Sequence, residues 1–296
     1  MWFKNLQIYR LPAGWKITSA SLEACLNARP LQPCGSQNIE SHGWVPPRND
    51  AALLHAAGGQ WLMAFGVESR LLPASVVRQE AEDRAAVLAG KQGYRPGRGK
   101  MKELREQVTQ EFLPRAFTRR HRIRVWIDPV NGWLGIDTPS TARAEEVIEC
   151  LRKTIDHFPL VLLRTVRSPG SAMADWLVGG APASFTVDQD CELRSVGEEK
   201  ATVRYTCHPL DGSEIKNHLT TGKAPTRLAL TFNDRVSFVL TEKLEIKRLD
   251  FLNGVREELG GGEDDEAMFD AEFALMTGEL AHLLPALIKA LGGEQG

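Results

Sequence analysis

An α+β fold with antiparallel sheets is what this sequence predicts, and three observations predict it. The dipeptides Asn131-Gly132 and Asn233-Asp234 each sit between short runs of alternating or apolar residues, which is how hairpins are spelled. Residues 141–157 carry helical spacing, with Val147, Ile148, Leu151 and Ile155 on one side. Strands and helices do not follow one another in the regular order that winds a parallel sheet.

Taken in order, residues 2–10 read as an opening strand and 19–28 as a short helix. Residues 34–37 and 43–47 read as loop, punctuated by Gly35, Gly43, Pro46 and Pro47. Residues 61–72 are strand-like, and Pro73 suits the first turn of a helix reaching Leu88. Residues 90–100 hold four glycines, a proline and four basic residues, a flexible, positively charged connection to a helix over 101–112 that Pro114 ends. A strand over 122–127 turns at Asn131-Gly132 into a second one ending near Asp137. Asp211 is placed to cap a helix over 211–221, with Glu214 three residues on and Gly222 as its stop. Residues 226–232, 236–240 and 244–249 read as an antiparallel meander. The acidic residues Glu263 to Glu266 open a long helix over 267–291, bent or broken at Pro285. The expected partition is a central α+β domain (1–75 and 114–165), a helical protrusion (76–113) and a C-terminal α+β domain (166–296).

The composition, 43% hydrophobic and 25% charged over 296 residues, is that of a globular chain large enough to bury a core without staples. The apolar runs are too short to span a bilayer, and the opening Met-Trp-Phe-Lys-Asn lacks a signal pattern, so no export and no membrane are expected. Five scattered cysteines spell neither a zinc site nor a redox pair. The net charge of −2 conceals a segregation: residues 84–124 carry a local +9 and residues 257–279 a local −9. One face is therefore expected to attract phosphate while another repels it.

Motifs for chemistry are mostly missing. The stretch Gly93 to Met101 resembles a phosphate loop, but Tyr94 stands where its glycine belongs and Met101 where its hydroxyl belongs. Cys207-His208 is a weak nucleophile-and-base candidate, since such pairing depends on spatial geometry. The seven histidines are dispersed singly, and no enzymatic activity, metal or cofactor is expected. What stands out is residues 115–124, with five arginines, one histidine and no acid. Alternation puts Arg120, Arg122 and Arg124 on one face of a strand, a row matched to successive phosphates. The plainer reading is an edge strand kept soluble by charge. Groove-reading signatures are absent, so nucleic acid would be gripped by its backbone.

Several segments in order resemble a known family. These are Trp2-Phe3-Lys4-Asn5-Leu6, Pro33-Cys34-Gly35-Ser36-Gln37, Gly43-Trp44-Val45-Pro46-Pro47, Leu113-Pro114-Arg115-Ala116-Phe117, Val130-Asn131-Gly132 and Phe269-Asp270-Ala271-Glu272-Phe273. The collinear set, which spans essentially the whole chain, is similar to the bacterial RdgC proteins. The resemblance implies a horseshoe-shaped subunit, pairing into a ring-shaped homodimer around duplex DNA. It further implies sequence-independent binding, antagonism of RecA, no cofactor and a cytoplasmic, nucleoid-associated protein. It places Phe117 at the dimer interface. The expected DNA-contacting residues are Lys100, Lys102, Arg115, Arg119, Arg120, Arg122 and Arg124. Single-stranded DNA or RNA is the alternative ligand. Residues 206–209, basic in some relatives, carry no Lys or Arg here, and no DNA role is transferred to them.

Overall fold

The computed structural model describes residues 1–48, 50–195, 197, 201–259 and 264–295. Its first half contains β1 (Gln7–Arg10), α1 (Ser19–Asn27), β2 (Glu40–Val45), β3 (Leu54–Ala57), β4 (Gln60–Arg70), α2 (Ala74–Gln92) and α3 (Arg98–Phe112). A 3-10 turn at Leu113–Arg115 then leads into β5 (Thr118–Asp128), β6 (Trp133–Ile136) and α4 (Thr141–Thr154). The second half contains α5 (Pro169–Gly179), β7 (Phe185–Ser195), β8 (Thr202–Tyr205), α6 (Ser213–Thr220) and β9 (Lys223–Phe232). It ends with β10 (Val236–Thr241), β11 (Ile246–Phe251), α7 (Asn253–Glu257) and α8 (Asp265–Ala290).

The α+β expectation holds. One sheet runs β1-β6-β5-β4-β2 with β3 added on β4, the other β11-β10-β9-β7-β8. Every strand pairing between named strands is antiparallel. Strand pleating gives β5 two different sides. Ile123, Val125 and Ile127 pack with Leu22 and Leu26 of α1 and Val147, Ile148 and Leu151 of α4. Trp126 faces the other way and joins Leu62, Leu6 and Ile8 in a core shared with α8 and the second sheet. The backbones of Leu6 and Ile246 exchange hydrogen bonds of 2.7 and 3.0 Å, tying the two sheets edge to edge.

The long C-terminal helix, expected to bend or break at Pro285, is one unbroken element through it. Leu283, Leu284, Leu287 and Ile288 are buried on both sides of the proline, and their burial outweighs the roughly 3 kcal/mol that an interior proline costs. Its N-cap is Asp264; Glu263, part of the expected acidic start, lies outside the described residues. By length and composition α8 could cross a membrane, but half of its apolar window is buried inside the fold, as suits a core helix.

Other expectations are corrected. The opening strand starts at Gln7, not at Trp2. Residues 43–45 belong to β2, because Trp44 is buried and the loop-like Gly43 fits under the backbone of Pro30 and Leu31, where a Cβ would lie 2.5 Å from Leu31. The connection over 90–100 is shorter than read: Gly90 to Gln92 finish α2, α3 already begins at Arg98, and Gly93 closes α2 at φ 79°. Asp211 does not cap α6; Gly212 holds that position. The hairpin at Asn131-Gly132 is present, but Asp128 organises it. Its Oδ1 accepts from the Val130 and Asn131 amides and its Oδ2 from the Asn131 side chain. The strands β3, β7 and β8 and the helices α5 and α7 have no counterpart in the sequence reading.

Because α8 completes one core for both sheets, Leu280→Ala is expected to cost about 2–5 kcal/mol. Far-ultraviolet circular dichroism and tryptophan fluorescence should report it in a single coincident denaturant transition. Separate transitions for the two signals would mean that the sheets fold independently.

Candidate nucleic-acid interface

The residues expected to touch DNA are spread over three elements. Lys100 and Lys102 lie on α3, which with α2 forms a helical hairpin around Ala81, Ala85, Leu104 and Val108. At 1.5 Å per residue, Lys100 is about 20 Å along the helix from Leu113. Both lysines pair within their own helix, Lys100 with Glu103 at 2.7 Å and Lys102 with Glu106 at 3.8 Å. The structure does not bring them to the arginine strand. Arg115 is exposed in the 3-10 turn and Arg119 is exposed early in β5. Neither has an ion-pair partner among the described residues.

Arg120, Arg122 and Arg124 do share one side of β5, as alternation predicts, but their surroundings differ. The register sets Arg120 opposite Glu68 of β4. Glu68 is buried and receives both the Arg120 guanidinium and the Cys34 amide, the latter at 2.7 Å. The Cys34 and Arg120 bonds hold its carboxyl below the usual carboxylate range. Arg122 is exposed, crosses Gly66 in register and donates to the Pro46 carbonyl at 3.2 Å. Arg124 is half-buried, and its Nε has no hydrogen-bond partner among the described residues. Burial, and then Arg122, pushes its guanidinium down from the ordinary arginine value, while Asp137 works the other way. Of the three, Arg122 alone offers an exposed guanidinium free of any carboxylate among the described residues.

His121, on the opposite side, adds no charge near neutrality. Burial and then Arg143 and Arg119 push it down from the ordinary histidine value. The two oppositely charged runs of the sequence were expected on different faces, and this is corrected at one place, where the end of the basic run meets the acidic run. Arg48, Arg122 and Arg124 face Asp50, Asp265, Glu266 and Glu272 across one cleft of about 380 Å³. The long α8 lies against this side of the first sheet, so its acidic first turn arrives beside the arginines.

Phe117 is 84% exposed, the most exposed large apolar side chain among the described residues. The residue that places it is Arg70, which sequence reasoning missed. Its guanidinium donates to the carbonyls of Leu113, Pro114 and Ala116 on one side and of Cys34 and Gly35 on the other, at 3.0–3.3 Å. The Leu71 amide donates to the Phe117 carbonyl at 2.7 Å, and the Arg70 amide to the Ile39 carbonyl at 2.8 Å. Ile39, Leu71 and Phe117, all exposed, therefore stand at neighbouring strand ends, beside Arg115 and Arg119 in sequence. The available signal was the charged Glu68-Ser69-Arg70 closing an apolar strand.

The remaining chemical candidates stay apart. The His208 ring contacts the Pro209 carbonyl at 2.7 Å and Glu214 at 3.4 Å, so its interactions are not with Cys207. All five cysteines are free thiols. Among the described residues no group of three or more His, Cys, Asp or Glu is arranged to hold a metal ion.

A family model described as "Putative exonuclease, RdgC" matches residues 1–294. Similar proteins named recombination-associated protein RdgC occur in several bacteria. The one from Dechloromonas aromatica (strain RCB) is 56% identical over 99% of this chain and 98% of its own length. Those from Herminiimonas arsenicoxydans and Janthinobacterium sp. (strain Marseille) are 50% and 48% identical over 99% or more of each chain.

The Glu68 site makes a pH-dependent contribution. A carboxyl held low in the folded chain stabilises it above the unfolded value, near 4.5, and loses that effect as pH falls through the folded value. Glu68→Gln should therefore be less stable than the parent at neutral pH, and the gap should close as pH drops below about 4.5. Urea denaturation of both proteins at several pH values measures it; a gap independent of pH would mean the carboxylate's charge is not what matters.

Proposed function

The chain belongs to the RdgC family, and on that premise we propose that it binds duplex DNA without reading its sequence. In this reading two horseshoe-shaped subunits close into a ring around the duplex and limit the access of RecA to it, which modulates homologous recombination. The single observation that carries the reading is the exposed strand end where Arg70 holds Phe117 outward beside Arg115 and Arg119, with Arg122 further along β5. Guanidinium groups there suit phosphates, and an exposed apolar patch of Phe117, Leu71 and Ile39 suits a two-fold contact in which both subunits use the same patch. The names of the relatives support a place in recombination. The protein acts in the cytoplasm on the nucleoid, needs no cofactor and works by binding. The family description words a cutting role, exonuclease, which is the competing reading.

Affinity for random duplex should fall steeply with salt. With roughly six to ten phosphates neutralised, the loss between about 50 and 200 mM salt is about 10³ to 10⁵. Fluorescence anisotropy on random duplex, single strand and RNA separates the readings: preference for single strands or RNA would replace duplex as the ligand. Digestion of end-labelled duplex with magnesium present would overturn the binding-only reading. Within β5, Arg122→Ala should weaken all duplexes alike and lower the salt slope by about one unit for each phosphate it no longer neutralises, without destabilising the fold. Arg120→Ala should cost stability as well, because it strips Glu68 of its partner.

Phe117→Ala should stay folded by circular dichroism and dissociate at higher protein concentration than the parent. Truncating an anchor of this kind costs about 2 kcal/mol or more in association. Sedimentation velocity over a dilution series decides it: sedimentation unchanged at every concentration removes Phe117 from the interface. Its exposure in the isolated subunit argues against the other outcome, simple unfolding.

A further inference from the structure

The second sheet has an open side that the arginine strand does not reach, and its cations are arranged with care. In register across β8, β7 and β9 stand Arg204, Glu192 and Arg227. Directly opposed residues share a face, so the two guanidiniums flank one carboxylate. Glu192 is buried and takes Arg204 at 2.5 Å, Arg194 at 3.3 Å and the Thr226 hydroxyl at 2.8 Å. Burial opposes its charge, but these bonds hold it below the usual carboxylate range. Arg227 is exposed and has no ion-pair partner among the described residues.

On β11, Arg248 sits at φ 52°, a conformation non-glycine residues seldom adopt, where the pairing of β10 with β11 shifts register. Such a bulge re-aims a side chain. Arg248 is 69% exposed and donates to Asp190 at 2.7 Å, whose other oxygen accepts from the Cys207 amide at 3.0 Å. Both carboxylates are thereby satisfied from within, leaving the outer edges of the guanidiniums unused. Arg204, Arg227, Lys247 and Arg248 line one cavity of about 260 Å³ together with Asn5 and Tyr205. That is below the roughly 300–1,000 Å³ of pockets that enclose whole small molecules, and it suits an anionic head group presented from outside.

We infer that this cavity is a phosphate-binding site on the second sheet, separate from the arginine strand. The planar fork of arginine matches phosphate oxygens in pairs. The carrier of the phosphate is the backbone of nucleic acid, a point that rests on the proposed DNA-binding role; a free nucleotide has the same chemistry and is the other source. Neither the charge count nor the basic run of the sequence pointed here, because the cations are scattered between Arg204 and Arg248 and none are adjacent except Lys247-Arg248.

The test uses the full chain carrying Arg227→Gln with Arg248→Asn, since asparagine tolerates the left-handed conformation. Arg204 is left in place because Glu192 depends on it. Arg152→Gln with Lys16→Gln, both exposed, removes the same two charges and controls for net charge. Two titrations are read: random duplex across salt, and adenosine monophosphate followed by the amide signals of β8 and β11. The expected result is a salt slope about one to two units shallower in the double variant and unchanged in the control. Loss of adenosine monophosphate binding with an unchanged duplex slope keeps the phosphate site but overturns nucleic acid as its carrier. If the parent binds duplex and the double variant matches it in both titrations, the inference falls while the function stands. If the parent binds adenosine monophosphate but no duplex, the proposed function falls while the site stands.

Discussion

The antiparallel register of β4 on β5, held over ten residue pairs from Trp61 and Ile127 to Arg70 and Thr118, is the constraint on which the rest depends. Side chains alternate along a strand, so a slip of one residue would exchange the two sides completely. Ile123, Val125 and Ile127 would leave the α1 and α4 core, and Trp126 would leave α8. Glu68 would lose Arg120, and Arg70 would no longer reach the turn that presents Phe117. Burial of apolar residues at one end thus fixes the charged geometry at the other. The same strands that build the core position the exposed arginines.

Much of this was legible from the residues. The meander of β9, β10 and β11 follows from alternation and the Asn233-Asp234 turn, whose φ values of 48° and 55° are those a tight hairpin needs. The side of β5 shared by Arg120, Arg122 and Arg124 follows from a period of two. The environment of each arginine does not, because Glu68, Pro46 and Asp137 come from distant segments. Residues 43–45 look like loop because Gly and Pro punctuate locally, whereas the neighbour that makes room for Gly43 is contributed by Pro30 and Leu31. The helix α8 continues through Pro285 for a similar reason: tertiary burial outweighs a local preference. The charged end of β4 marks Arg70 in the sequence, but its role does not show there, because its five acceptors are all backbone carbonyls, which no side-chain motif encodes.

A chain of net charge −2 can still present cationic surface if its acids are spent inside. Glu68 and Glu192 are buried, Asp190 is held by Arg248 and a backbone amide, and Asp137 accepts from the Lys4 and Asn5 amides at 3.0 Å. Glu68, Glu192 and Asp190 turn their charge inward and each leaves part of a guanidinium facing out, whereas Asp137 is held by backbone amides alone. This organisation differs from a uniformly basic patch. Removing an arginine that holds a buried acid weakens the support of that charge, so Arg120 beside Glu68, and Arg204 with Arg194 beside Glu192, contribute to the fold in a way that Arg119 and Arg122 do not.

The meeting of the two charge runs adds direction to the first sheet. Arg124 lies deep in the cleft, facing the acidic first turn of α8, whereas Arg119 and Arg115 lie at the strand end beside Phe117. A phosphate approaching along β5 therefore meets free guanidinium first and carboxylate further in. Under the proposed role, repulsion from Asp265 and Glu266 holds a polyanion at the outer end of the strand, next to the apolar residues that would join two subunits. The closeness of those two functions follows from one turn, Leu113 to Phe117, which Arg70 fastens to the sheet. Any force that shifts this turn moves the proposed interface and the proposed phosphate contacts together.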